Sequence, residues 1–580
     1  MCGIAGILHL PDTAVAPDML TQFSTALAHR GPDGVGGYIT DTIALVHTRL
    51  AIIDLVTGDQ PLLNFPLALI ANGEIYNYIE LKQDFPGGYR TGSDCEPLLK
   101  LFLLDGRDYT TRLRGMYAIA IHDQAFRTLN LSRDRFGIKP LYIAAGPAGI
   151  AFASEPQALL DAGVVSRQIA PQKLQELLNL QFTTGRQTIF SGIQRILPGE
   201  TLTICDGVLD TRTQLPFPQS PPPPRNEETA LAALDTVLEE AVELHQRSDV
   251  PYGMFLSGGI DSSIILAMMT RLNNRPILAF TAGFDETSVA DERNAAATTA
   301  KAAGAHHELI HITQQMVWEH LPEIVGAMDD PTADYAIIPS WFLARRARQD
   351  VKVILSGEGG DEFFAGYGRY RSAARLLFPK KMRARGVFDG LDVLRESSTD
   401  WRHGIAAAEA TQISPSRLKN AQMVDIADWL PHDLLLKLDR CLMAHAIEGR
   451  TPFIDCEVAA FAFSLPEKLL VRNGQGKYLL RLWLQKHFPE AQPFAKKQGF
   501  DVPIGAWIAT KAKPLAELLI CQPIIAQLAA PDKVRGLFAN ASGKREGFAA
   551  WVLLFIALWH QRHVLNLPSK GDVFETLRQI

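Results

Sequence analysis

The sequence predicts a two-part chain, α+β at first and α/β after it, ending in a helical C-terminal part. Three observations carry this. Residues 3–10, 43–46, 67–70, 116–122 and 129–132 are short apolar or alternating runs, many bounded by Gly, Asp, Asn or Pro, as strands of antiparallel sheets tend to be. Later in the chain, strand-like and helix-like runs alternate, which implies a parallel sheet covered by helices. Between them lies a proline-rich stretch, 216–224. Proline removes backbone donors and fixes φ, so this stretch is an extended connector. The expected division is 2–215, the linker 216–224, and 225–580.

In the first part, helical periods near 17–28 and 96–104 supply helices to flank the sheets. The second part opens with a helical period over 227–245. A strand at 252–256 turns through Ser257-Gly258-Gly259 into a helix over 261–272. Residues 277–282, 307–312 and 352–355 read as strands, 293–303 as a helix, and the chain from about Leu434 as mostly helical. The longest apolar run, 548–559, falls short of the ~20 residues that span a bilayer. It is flanked by Lys544, Arg545, Glu546, His560, Gln561 and Arg562, and reads as a buried helix.

Composition narrows the function classes. The 580 residues are 47% hydrophobic and 21% charged, which excludes a largely disordered chain. The net charge of −6 argues against a general nucleic-acid binder. The basic run Lys380, Lys381, Arg383, Arg385 reads as a solvated helix face. Six scattered cysteines without a CxxC pair point to a reducing compartment. With no signal-type N-terminus, the expectation is a cytoplasmic protein with small-molecule partners, neither nucleic acid nor membrane, and compatible with a homodimer.

Cys2 follows the initiator Met. Removing Met1 would put a thiol and a free α-amine on one residue. An α-amine titrates near ~7.7–8.0, so it can act as a base, and a thiolate is a strong nucleophile. The segments that follow are ordered: Cys2-Gly3-Ile4-Ala5-Gly6, His29-Arg30-Gly31-Pro32-Asp33-Gly34, His47-Thr48-Arg49-Leu50-Ala51-Ile52-Ile53-Asp54, Asn72-Gly73-Glu74-Ile75-Tyr76-Asn77, Thr91-Gly92-Ser93-Asp94, and the run from Ser132 to Tyr142. This series resembles the class II glutamine amidotransferase domain, an Ntn-type (N-terminal-nucleophile) αββα sandwich. The resemblance implies that Cys2 attacks the glutamine amide. The Asn72 amide and the Gly73 N–H would donate to the oxyanion. Arg49 would hold the substrate's carboxylate, Glu74 and Asp94 its ammonium, and Leu50, Ala51, Ile52 and Ile53 would also belong to the glutamine site.

A second motif, Ser257-Gly258-Gly259-Ile260-Asp261-Ser262-Ser263, follows a strand and opens a helix. Glycines let backbone N–H groups approach phosphate oxygens at a helix N-terminus. No Walker lysine is present. Ser356-Gly357-Glu358-Gly359-Gly360-Asp361-Glu362 also follows a strand, and ligands gather at the carboxyl ends of strands in open α/β sheets. SGGxDSS is the signature of ATP-pyrophosphatase domains. With 330–334, Asp439-Arg440, 443–445, 450–455, Gly476-Lys477 and 496–500, the second part is similar to the synthetase domain of the glutamine-hydrolysing, class B asparagine synthetase family. That implies ATP contacts from Leu256, Ala282, Ser356 and Gly357 and a phosphate cradle including Ser257, Gly258, Gly259, Asp261, Ser262 and Ser263. It further implies Lys477 on phosphate charge, Mg²⁺ at Asp261 and Asp361, and Glu358 at the adenylate step. Gly449, Gly360 and Ala365 depart from the family's usual residues and leave the acceptor open. His306, His307 and His311 read as strand residues, not zinc ligands.

The implied reaction is ATP-dependent, glutamine-hydrolysing amidation of L-aspartate through aspartyl-AMP. Rivals are amidation of another carboxylate, such as a peptide, antibiotic precursor or sugar acid, and a non-catalytic regulatory relative.

Overall fold

The computed structural model describes residues 2–13, 18–284, 293–375, 377–396, 398, 400–411, 414, 416–495 and 502–580. Met1, the start of the expected helix over 17–28, and the 496–500 motif lie outside these residues.

The first part is two stacked antiparallel sheets. One contains β1 (Gly3–His9), β2 (Gly34–Ile39), β3 (Ile43–Arg49), β8 (Tyr142–Gly146), β9 (Gly149–Ala153) and β10 (Ile193–Arg195), in the order β10-β8-β9-β1-β3-β2. The other contains β4 (Leu62–Asn64), β5 (Leu67–Ile75), β6 (Gly115–Asp123), β7 (Thr128–Arg133), β11 (Glu200–Cys205) and β12 (Val208–Gln214), in the order β12-β11-β7-β6-β5-β4. Ile4, Leu8 and Leu45 from one sheet meet Ile70, Leu131 and Leu202 from the other in a shared core. Alternation explains it: each strand sends every second side chain inward. Helix α1 (Met19–Leu27) buries Phe23 and Leu27 on the outer face of the first sheet. Helix α2 (Pro97–Asp105) packs Leu98, Leu99 and Leu101 against the second.

The segment from Leu215 to Asn226 carries neither helix nor strand, and α3 (Glu227–His245) starts beyond it behind an Asn226 capping box. The second part holds one parallel sheet in the order β15-β14-β13-β16-β17, from β13 (Tyr252–Phe255), β14 (Leu278–Phe284), β15 (His306–Ile312), β16 (Val353–Leu355) and β17 (Glu448–Arg450). Helix α4 (Ile260–Leu272) follows β13 directly. Further on come α5 (Leu435–Met443) and α6 (Lys544–His563). Trp551 to Trp559 of α6 are buried on every side, as a buried helix requires.

One reading needs correction, and one strand was not foreseen. The basic run at 380–385 is not a helix face: it is turns and irregular backbone, and the half-buried Arg383 guanidinium lies 4.4 Å from the Trp429 ring centroid. And β17 had no strand signal. Glu-Gly-Arg has two charged residues of three, and at the edge of the sheet Arg450 pairs with Glu448 of the same strand and with Glu74 of the first part.

Candidate active sites

Cys2 sits at the mouth of β1, between the two sheets, and is buried. Its N–H donates to Asn72 Oδ1 at 3.1 Å, and Arg30 Nε donates to its carbonyl at 3.1 Å. Burial pushes the Cys2 thiol up from its ordinary value. Such a thiol rests protonated and needs a base before it can attack. Asn72 and Glu74 lie two residues apart on β5 and so share a face; Gly73 lies between them. A Cβ at Gly73 would come within 2.1 Å of the Met116 carbonyl, so only glycine fits beside β6. With Oδ1 held by Cys2, Asn72 Nδ2 is buried and has no hydrogen-bond partner among the described residues. A buried donor left unmatched is costly, so this one points to a ligand atom.

The expected glutamine-binding residues surround this centre. Arg49 is nearly buried; Nη1 donates to Asp59 Oδ1 at 2.7 Å and Nη2 to the Asp54 carbonyl at 2.5 Å. The Leu50 carbonyl lies 4.0 Å from Cys2 Sγ. Leu50 and Ile52 are buried in the apolar cluster with Tyr76 and Met116, Ile53 packs against that cluster, and the Ala51 N–H donates to Asp33. Asp94 Oδ2 accepts the Ile75 N–H at 2.8 Å, which brings it to the end of β5. Burial pushes the carboxyls of Glu74 and Asp94 up, and Glu74 rises further beside Asp94. Two carboxyls so placed would welcome an ammonium group.

The second centre lies at the carboxyl ends of β13 and β16. Leu256 and Ser257 lead from β13 into α4, where Ser257 Oγ and Ser262 Oγ are 3.1 Å apart and Gly258 has φ +71°, the left-handed region. The Leu256 carbonyl accepts Thr281 Oγ1 at 2.6 Å, next to Ala282 on β14. Ser263 Oγ and Ser356 Oγ are buried without hydrogen-bond partners among the described residues. Lys477 Nζ meets Asp361 Oδ1 at 2.6 Å and also pairs with Asp261 Oδ2. Burial disfavours the Lys477 ammonium, but the two aspartates outweigh it and raise its pKa. A Cβ at Gly360 would strike the Asp261 carboxylate at 2.4 Å, so glycine lets the two loops meet. Half-buried Glu358 sits among Lys437, Asp334, Asp361 and Asp261; burial pushes its carboxyl up, Lys437 opposes, and the three aspartates add to the rise.

Among the described residues no group of three His, Cys, Asp or Glu could hold a metal ion. Asp261 and Asp361 nevertheless converge on Lys477. Mg²⁺ usually takes only one or two protein carboxylates and completes its shell with water and phosphate, so this donor pair suits a Mg²⁺–phosphate group and not a protein cage. His306, His307 and His311 lie on β15, with His307 Nε2 2.8 Å from Thr281 Oγ1.

A family model described as asparagine synthase matches residues 233–561, and one described as glutamine amidotransferase domain matches residues 1–214. The chain belongs to the asparagine synthase family. It is 32% identical to the glutamine-hydrolyzing asparagine synthetase 1 of Bacillus subtilis, covering 97% of each chain. With the glutamine-hydrolyzing asparagine synthetase B of Escherichia coli the identity is 29%, over 89% of this chain and 85% of the other.

In this asparagine synthase-family chain, several motif residues of the second part reach into the first. Asp439 takes two hydrogen bonds from Arg30, at 2.8 and 3.1 Å, and Arg30 also meets Glu155 at 2.7 Å. Arg440 pairs with Asp329 at 2.7 Å and lies 3.6 Å from Glu155. Asp330 binds Arg195 through both oxygens, Asp455 binds Arg114, and Arg450 pairs with Glu74 at 3.2 Å. Sequence reasoning missed Arg30, Glu155, Arg195 and Arg114 as partners, because nothing in a sequence pairs residues hundreds of positions apart. The one available signal was the position of Arg30 inside an ordered motif.

Proposed function

We propose that the chain amidates L-aspartate to L-asparagine, using glutamine as nitrogen donor and ATP to activate the carboxylate. The observation that carries this is the unmatched Asn72 Nδ2 donor beside Cys2, in one chain with a glycine loop whose Asp261 meets Asp361 across Lys477. Residues 2–215 would hydrolyse glutamine and residues 225–580 would adenylate and amidate.

After Met1 is removed, the Cys2 amine takes the thiol proton, and sulfur attacks the glutamine carboxamide carbon. Asn72 Nδ2 and the Gly73 N–H stabilise the oxyanion. The C–N bond breaks, ammonia leaves with a proton from the amine, and water hydrolyses the thioester to glutamate. In the second centre, an aspartate carboxylate oxygen attacks the α-phosphorus of ATP and pyrophosphate departs. Lys477 offsets the phosphate charge. Asp261 and Asp361 would hold Mg²⁺, which supplies charge neutralisation on the leaving pyrophosphate. Ammonia then attacks the acyl carbon, AMP leaves, and Glu358, a carboxyl with raised proton affinity, accepts the surplus proton. The free cysteines fit a reducing, cytoplasmic setting, and no helix among the described residues is long and apolar enough to cross a membrane.

The test is a purified chain given glutamine, aspartate, ATP and Mg²⁺, with glutamate, pyrophosphate and asparagine measured together. Asparagine formed in step with pyrophosphate supports the reading. Pyrophosphate released only with a different carboxylate overturns the assignment of aspartate.

A further inference from the structure

Arg450 is wholly buried on β17, the edge strand of the parallel sheet, and lies at the boundary with the first part. Its Nε donates to Glu448 Oε1 at 2.6 Å, and Nη1 donates to the carbonyls of His245 at 3.0 Å and Arg247 at 2.6 Å. Nη2 faces Glu74 Oε2 at 3.2 Å. The fork is thus held rigidly on three sides while its last arm crosses into the glutamine site. Glu74 Oε1 is buried without a hydrogen-bond partner among the described residues, on the strand face that Asn72 also uses. The Arg450 carbonyl accepts the Ser356 N–H at 2.9 Å, at the start of the loop that carries Glu358.

We propose that Arg450 is a positioning residue of the glutamine site, supplied by the other domain: it fixes the Glu74 carboxylate for the substrate's ammonium group and ties that carboxylate to β17, where the Arg450 carbonyl holds the first N–H of the Ser356 loop. The glutamine pocket is then complete only when the two parts are docked. This rests on the glutaminase reading above. A buried carboxylate next to Asp94 is repelled by it, and the Arg450 charge counters that repulsion. Lysine keeps the charge but cannot serve Glu448, two carbonyls and Glu74 together, because it lacks the planar fork.

The experiment compares the full-length parent with Arg450→Lys and Arg450→Met, reading glutamine KM, glutaminase kcat, and the ratio of glutamine-driven to ammonia-driven synthesis. Losing a charge-assisted contact predicts a glutamine KM raised about ten- to a hundredfold in Arg450→Met, with kcat changed much less and the synthesis ratio lowered on the same scale. Arg450→Lys should fall between parent and Met variant. In a Glu74→Gln background, Arg450→Met should add little further change. A folded Arg450→Met or Arg450→Lys chain with parental glutamine KM overturns the proposal, as does a Met substitution whose effect is equally large with and without the Glu74 carboxylate. A parent without glutaminase activity would instead overturn the functional reading beneath it.

Discussion

Cys2 and Glu358 each carry an acid whose proton affinity is raised by burial, and the two differ in what stands beside them. Cys2 has the Asn72 amide at hand and, once Met1 is removed, would have its own amine. Cys2→Ala should therefore abolish glutamine-driven synthesis while ammonia-driven synthesis persists; loss of both in a folded variant would refute the division of labour. Glu358 has Lys437 and three aspartates around it. Glu358→Gln keeps the size and removes the proton acceptor, so synthesis should drop about 10²–10⁴-fold while glutamate release is largely spared. Parallel assays of glutamate and asparagine check both variants. Glu362 shows the same physics with a sign that can be tested. It is buried, and its pKa is pushed up to about 8 by burial first and then by Asp361 and Glu358. An acid raised on folding costs stability as pH climbs from the unfolded value toward the folded one. The chain should lose thermal stability between about pH 5 and 8, and Glu362→Gln should shrink that loss; an unchanged pH slope of Tm would count against the buried, protonated acid.

At the scale of elements, α5 and β17 connect the two centres. Lys437 and Asp439 stand two residues apart on α5: the first donates to Asp334 at 2.7 Å beside Glu358, the second holds Arg30, which holds the Cys2 carbonyl. Asp439→Asn would leave a buried guanidinium short of a charge partner. Breaking a buried pair from one side costs about 3–5 kcal/mol, so this variant should unfold earlier in denaturant and lose glutaminase activity with it. Parental stability would mean that Glu155 alone satisfies Arg30. These elements were only partly legible. The apolar period of α4 and the alternation of β15 stand out locally, and both lie where expected within a residue or two. The β17 strand does not, because Glu448 and Arg450 look like solvent-facing residues until Glu74 and the carbonyls of His245 and Arg247 are brought to them.

For the whole molecule, the proline linker is the least of the connections between the parts. Arg195–Asp330, Arg30–Asp439, Arg114–Asp455 and Arg450–Glu74 all cross the boundary, and Trp559 of α6 packs its ring 5.5 Å from that of Phe190. A protease cut engineered within 216–224 should leave the fragments co-migrating on size exclusion with glutaminase activity intact; separation into two species would show that the linker, not the interface, holds them. The sequence by itself determined the two-part architecture and both glycine loops, and it singled out Cys2 as the candidate nucleophile, because hydrophobic period, proline and ordered motifs are local signals. It also supplied the residues later seen around Cys2 and Lys477. Only the tertiary structure decided which buried charges meet. Those ion pairs join positions such as Arg30 and Asp439 that share no local pattern, and they meet away from water only once the two parts are packed.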